Sequence, residues 1–177
     1  MTLTELYNAK GYAYYPTDKG TSHNYLTFYE LLFSQYRESK IKIFEVGIFM
    51  GGSIKLWEDY FINAEITACD IEKHPNQVKL SRTKCFYTDI RKIDFNFFED
   101  NSFTIAIDDG SHKIQDQLFF IEHFYPKIKK GGMLIIEDVY NIKNNILLFK
   151  QFGSDFSVVD NRHTGRKDNI LLIYQKL

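Results

Sequence analysis

The sequence is poor in the residues that staple, kink or anchor a chain. Its 177 residues include two cysteines, three prolines and one tryptophan. Cys69 and Cys85 stand apart in apolar, strand-like stretches and form no Cys-x-x-Cys pair. Buried reduced thiols follow, and a disulfide scaffold does not. No run of roughly 18 apolar residues, the length that crosses a bilayer, occurs anywhere. The opening stretch MTLTELYNAKGYAYY carries an acid and no continuous apolar core, so it does not read as a signal peptide. A cytoplasmic location is expected. Charge of one sign is missing too: 22 basic residues against 23 acidic leave a net charge of −1. Such a chain has no field that draws it to nucleic acid or to an anionic membrane.

What is present is ordinary globular material with many aromatics. Hydrophobic residues make up 44% and aromatics 16%, with 16 Phe and 12 Tyr, which points to a packed core and an aromatic-lined pocket. The length suits one domain, residues 1–177, with residues 1–40 as an N-terminal cap segment and helix. Apolar runs at Ile41–Val46, Glu65–Asp70, Lys84–Thr88, Thr104–Asp108 and Met133–Glu137 have the length of buried strands. Helical patterns lie between or before them, at Thr27–Gln35, Ser53–Phe61, Lys113–Lys129 and Asn144–Phe152, with Gly153 as a stop. Strand–helix alternation predicts a parallel sheet covered by helices on both faces. Phe156–Asp160 and Ile170–Gln175 have no helix between them and must pair antiparallel. The sum is a seven-stranded, mostly parallel α/β sheet with a C-terminal antiparallel hairpin.

In open α/β sheets, ligands sit beyond the carboxyl ends of the strands, so the residues that end each run carry the functional reading. Run one ends in Glu45-Val46-Gly47-Ile48-Phe49-Met50-Gly51-Gly52-Ser53. Glycines here let the backbone turn tightly and approach a ligand before a helix N-terminus. Three residues separate Gly47 from Gly51, which is not the G-x-G-x-x-G spacing of a pyrophosphate site and favours the methionine end of S-adenosylmethionine. A structural turn, with Glu45 as an exposed strand-end carboxylate, is the plain alternative. Asp70 ends run two and is placed to take both ribose hydroxyls. Asp89, after run three, is placed near an adenine amino group or, equally, as a helix cap. Asp108 is counted with the cofactor-binding set, as are Gly47, Gly51 and Ser53.

Runs four and five end in Asp108-Asp109-Gly110-Ser111-His112 and Glu137-Asp138. As neighbouring strands they bring carboxylates together with an imidazole. Asp109, Glu137 and Asp138 offer hard oxygen ligands suited to Mg²⁺. His112 is the natural general base, with Asp109 as its catalytic companion. The plain alternative is a turn in which Ser111 caps the next helix and His112 sits in its first turn.

The series Thr17-Asp18-Lys19-Gly20 with His23 and Tyr25, then the glycine turn, Cys69-Asp70-Ile71, Ile107–His112 and Ile136-Glu137-Asp138 resembles the macrolide-sugar O-methyltransferases of the mycinamicin and tylosin type. These are class I S-adenosylmethionine-dependent enzymes with a Rossmann-like fold. The resemblance runs from Thr17 to Asp138. It implies metal-dependent methylation of a sugar hydroxyl, with His112 as base and Asp109, Glu137 and Asp138 as metal ligands. Glu45, Gly47 and Asp70 would hold the cofactor, and the Thr17–Tyr25 segment, Lys19 included, would close over it. It implies a saccharide or other small acceptor, neither nucleic acid nor membrane as partner, and room for a homo-oligomer. Thr88-Asp89 departs from the family's Gly-Asp, and the short passage through Asn141–Asn145 leaves the acceptor side open. Two other readings stand beside it: a non-catalytic S-adenosylmethionine-binding subunit, and a hydroxylase-like metal enzyme, for which His23 is the one suitable second histidine.

Overall fold

The computed structural model describes residues 1–153 and 156–177. Seven strands form one sheet in the order β3-β2-β1-β4-β5-β7-β6. They are β1 (Lys42–Val46), β2 (Glu65–Asp70), β3 (Thr83–Tyr87), β4 (Phe103–Asp108), β5 (Ile128–Ile136), β6 (Phe156–Asp160) and β7 (Ile170–Gln175). The first five are mutually parallel; β7 pairs antiparallel with both β5 and β6. Strand order reverses between β1 and β4, which opens a crevice at their carboxyl ends.

The central strands β1, β4 and β7 and the second half of β5 are buried on both faces, which is why they read as unbroken apolar runs. Alternate residues go to opposite sides. Ile43, Ile105, Met133 and Ile135 meet the helices α1 (Leu3–Lys10), α2 (Leu26–Phe33) and α3 (Gly52–Tyr60). Phe44, Ala106, Leu134 and Ile136 meet α4 (Ile114–Phe124) and α5 (Ile142–Lys150). Trp57, Tyr29 and Phe33 are fully buried on the first side, where the three rings pack edge-on and stacked. Each large side chain so buried contributes roughly 1.5–3 kcal/mol.

The N-terminal segment does two jobs where one was expected. Helices α1 and α2 pack on the sheet face beside α3, and only the stretch around Lys19 lies across the strand ends. The residues that flank α2 tie it to the sheet: before it the Tyr25 hydroxyl reaches Asp138, and after it that of Tyr36 reaches the Gly131 carbonyl. Three further boundaries differ from the sequence reading. Helix α4 stops at Phe124 rather than Lys129, because Pro126 cannot donate to a fourth turn. Strand β5 therefore begins at Ile128 and carries a bulge opposite Phe103–Ile105. Helix α5 starts at Ile142, two residues early.

Candidate active site

The strand ends frame a cavity of about 740 Å³ whose lining runs from Gly47, Phe49, Asp70 and Asp89 to Asp109, His112 and Asp138. Its near wall is the turn after β1. Gly47 has φ 97°, and a Cβ there would lie 2.0 Å from the Asp109 carbonyl oxygen, so β1 and β4 can meet only with glycine at this position. The turn is held from β2: Asp70 Oδ2 accepts from the N–H groups of Ile48 and Phe49, each at 2.7 Å, while Oδ1 accepts from Ile71 at 2.7 Å. A carboxylate offers about four acceptor positions, so Asp70 shapes the turn and keeps capacity for a ligand. Asp89 lines the cavity and also caps a short helical turn by accepting from the Arg91 N–H at 2.9 Å. Ser53 and Asp108 line the same wall. Burial pushes the Asp108 carboxyl up to about 7, with its neighbour Asp109 adding to the rise and the Gly110 N–H opposing it.

Three residues expected at the cofactor are not in the lining of this cavity. Glu45 is fully buried behind the turn, where it accepts from Ser53 Oγ at 2.6 Å and Trp57 Nε1 at 2.5 Å. Desolvation raises its pKa to about 7, against the pull of Lys19. Gly51 caps α3 in the left-handed region with φ 80° and faces Gln77 and Val78, outside the cavity lining. Gly52 takes the lining position; its absent side chain lets Pro16 cross the helix end, where a Cβ would sit 2.2 Å from the Pro16 carbonyl carbon.

Lys19 is the third. Its ammonium is fully buried, 2.5 Å from Asp109 Oδ2 and 2.7 Å from both oxygens of Glu137. Burial alone would strip its proton, but Asp109, Glu137 and Glu45 outweigh that and hold it charged. Glu137 is consequently turned away from the cavity and also accepts from the Tyr29 hydroxyl at 2.5 Å. Of the three expected metal ligands, Asp109 and Glu137 thus share the Lys19 ammonium, and Asp138 stands with the cavity-facing group. In that group the donor atoms of Asp109, His112 and Asp138 lie within 4.8 Å of one another.

Asp138 and His112 both have left-handed backbones, with φ 54° and 57°. Such conformations in non-glycine residues carry a cost and persist where surroundings enforce them. Here the result is to aim both side chains into one space, with His112 Nε2 4.0 Å from Asp138 Oδ2. His112 precedes α4, whose cap is Lys113, and does not sit in the helix's first turn. Its Nδ1 is buried and has no hydrogen-bond partner among the described residues. Ser111 accepts from the Lys113 N–H at 3.3 Å and donates to Asp116 at 2.5 Å.

Asp138 is steadied from behind by the Tyr25 hydroxyl at 2.8 Å and by His23 Nδ1 at 3.1 Å. His23 is itself buried, with Nε2 3.1 Å from Asp18. Burial opposes charge on this ring, yet Asp18 and Asp138 raise its pKa above the usual histidine value. Asn169, which no sequence pattern had marked, is fully buried and joins the terminal hairpin to His23 through the His23 carbonyl at 3.2 Å.

The donor chemistry fits a divalent cation. Two carboxylates face the cavity beside an imidazole, and the surrounding acids repel one another: burial and then Asp109 raise the pKa of Asp138. The glycine turn, the Asp70 carboxylate and the cavity's extent likewise fit a nucleoside-bearing cofactor.

No protein-family model matches the chain. Among curated proteins, mycinamicin VI 2''-O-methyltransferase of Micromonospora griseorubida is 25% identical over 136 residues, which are 72% of this chain and 34% of that protein. A tetracenomycin-C relative of Streptomyces olivaceus, 8-demethyl-8-(2-methoxy-alpha-L-rhamnosyl)-tetracenomycin-C 3'-O-methyltransferase, is 30% identical over 142 residues, or 72% and 35% of the two chains. The solved structure of MycE methyltransferase from the mycinamycin pathway, in complex with Mg, SAH and mycinamycin VI, matches with a TM-score of 0.72 at 20% identity. That match covers 99% of this chain and 54% of the other. The chain thus spans about a third of the length of the curated relatives it matches. Its fold is that of class I methyltransferases.

Proposed function

We propose that this chain transfers the methyl group of S-adenosylmethionine to a hydroxyl of a sugar or glycosylated small molecule, assisted by a divalent cation. One observation carries the reading: a single cavity joins the Gly47 turn and Asp70 to the Asp109–His112–Asp138 cluster. In this reading residues 1–177 work as one cytoplasmic domain, with residues 1–40 closing part of the site.

The turn from Gly47 to Ser53 would receive the methionine portion, Asp70 the ribose and Asp89 the adenine, with Asp108 behind them. When bound, S-adenosylmethionine supplies a methyl group on a cationic sulfur, and a divalent cation supplies the Lewis acidity that acidifies a hydroxyl. Asp109 and Asp138 would hold that cation. His112 would take the acceptor's proton as the oxygen–carbon bond forms and the carbon–sulfur bond breaks, which would leave S-adenosylhomocysteine. Asp138 lies 4.0 Å from the imidazole, and Tyr25 and His23 hold Asp138 in turn. Glu137 could join the ligand set only if Lys19 moved away. A hydroxylase-like site would need His23 in the cavity, and His23 is instead locked between Asp18 and Asp138.

The test is calorimetric titration with S-adenosylhomocysteine, followed by methyl transfer to a panel of glycosides. Tight binding with turnover supports the proposal. Tight binding without turnover on any acceptor favours a non-catalytic binding subunit.

A further inference from the structure

Beside the strand ends lies a second hollow that the reaction above does not use. It measures about 650 Å³, and its lining includes Asn141, Asp160, Arg162, His163, Arg166 and Lys167. Arg162, Arg166 and Lys167 stand there against the carboxylates of Asp160 and Asp168, which leaves one positive charge in excess. Asp160 is taken up by Arg162, whose Nε lies 2.8 Å away. Arg166 grips Asp168 through Nε at 3.3 Å and Nη2 at 3.2 Å. A guanidinium carries five N–H donors, so the rest of its fork is left for a ligand. Lys167 is exposed and makes no salt bridge among the described residues.

Two features make this more than a charged hairpin tip. Asn141 caps α5 with φ 49°, and its own side chain does not cap the helix's first N–H groups, so the positive end opens beside the cations. The loop bearing the cations is also built in advance. The Nδ2 of buried Asn169 lies 2.6 Å from Thr164 Oγ1 and 3.2 Å from the carbonyls of Asn161 and His23, and its two N–H groups are shared among these acceptors. Ordering costs on binding are correspondingly small. Arg166 lines both hollows, and Asp138 and His112 are among the residues that line the first.

We infer that this hollow is a phosphoryl subsite and that the methyl acceptor is a phosphate ester of a sugar. The acceptor's hydroxyl would lie at Asp109, His112 and Asp138, and its phosphate beyond Arg166, against Lys167 and the α5 N-terminus. The inference rests on the methyltransferase reading for the role of the first cavity. A free sugar phosphate and a nucleotide sugar share the chemistry.

The experiment titrates the protein with glucose 1-phosphate, UDP-glucose and methyl glucoside. Both phosphate esters are expected to bind at least about tenfold more tightly than the neutral glycoside, the effect of one charge-assisted hydrogen bond. The preference should shrink in high salt and in Arg166→Gln and Lys167→Gln. Lys167 is exposed, so its variant keeps the test alive if Arg166→Gln folds poorly. Tighter binding of UDP-glucose than of glucose 1-phosphate assigns the nucleotide source; equal binding assigns the monoester. Equal affinity for all three compounds, or a preference intact in both variants, overturns the inference. A separate titration with S-adenosylhomocysteine tests the methyltransferase reading: its failure sinks that reading, whatever the phosphate esters do.

Discussion

The ammonium of Lys19 lies 2.7 Å from each carboxylate oxygen of Glu137, and both side chains are buried. Breaking such a pair by removing one partner costs roughly 3–5 kcal/mol, because the other charge is left uncompensated. Lys19 also touches Asp109, a cavity-facing carboxylate of the cation cluster. A divalent cation at Asp109 would therefore feel the ammonium's repulsion. Lys19→Met should lower the melting temperature of the free protein and tighten Mg²⁺ binding by calorimetry, with saturating Mg²⁺ recovering part of the lost stability. Unchanged or weaker Mg²⁺ binding in the variant would count against this coupling.

His112 is expected to act on the chemical step. Loss of a general base typically costs 10²–10⁴-fold in rate, so His112→Ala should lower kcat by about that much and leave S-adenosylhomocysteine affinity nearly unchanged. Steady-state kinetics beside a binding titration separate the two quantities. Methylation by His112→Ala at the wild-type rate would end the base assignment.

The Gly47 turn makes a steric prediction. At φ 97°, with a Cβ position 2.0 Å from a backbone oxygen, Gly47→Ala must push β1 away from β4. Cofactor affinity should fall more than tenfold, about 1.4 kcal/mol or more, and the melting temperature should drop. Asp70→Ala frees the Ile48, Phe49 and Ile71 N–H groups and should weaken cofactor binding through the same turn.

The pH dependence has a defined sign. Asp108 has its folded pKa raised from 3.8 to about 7, chiefly by burial. A group raised in the folded state stabilises fully below its unfolded pKa, and that contribution is lost as pH rises through the folded value. Wild-type protein should therefore lose stability relative to Asp108→Asn between about pH 4 and pH 7. Melting curves at the two ends of that window give the answer, and a constant difference would contradict the raised pKa.

Much of this was legible in the sequence, for a physical reason. Strands buried on both faces must be apolar throughout and stop where the chain meets the ligand crevice, so the ends at Val46, Asp70, Asp108 and Glu137 were visible as the last apolar or first acidic residues. The fate of Lys19 was not. Its partners lie 90 and 118 positions away, and no local pattern marks a lysine for burial. The regrouping of the acids follows from that one contact: with Glu137 held by Lys19, Asp109 and Asp138 are the two of the three expected ligands that line the cavity. Other misses left traces. Thr2 and Glu5 form the capping box that starts α1, a signature present in Thr2-Leu3-Thr4-Glu5. Pro126 marked the end of α4. Asn169 had no such trace, since its partners Thr164, Asn161 and His23 meet only in the folded hairpin.

The central claim is that the Asp109–His112–Asp138 cluster directs methyl transfer from S-adenosylmethionine to a sugar hydroxyl. Mass spectrometry of sugars, glycosides and sugar phosphates incubated with the protein, S-adenosylmethionine and Mg²⁺ tests it most directly. The expected result is an acceptor heavier by one methyl group, formed by wild-type protein and lost with His112→Ala or on chelation of the metal. Wild-type protein that binds S-adenosylhomocysteine yet methylates none of these acceptors would contradict the account, as would a product that forms equally well without His112.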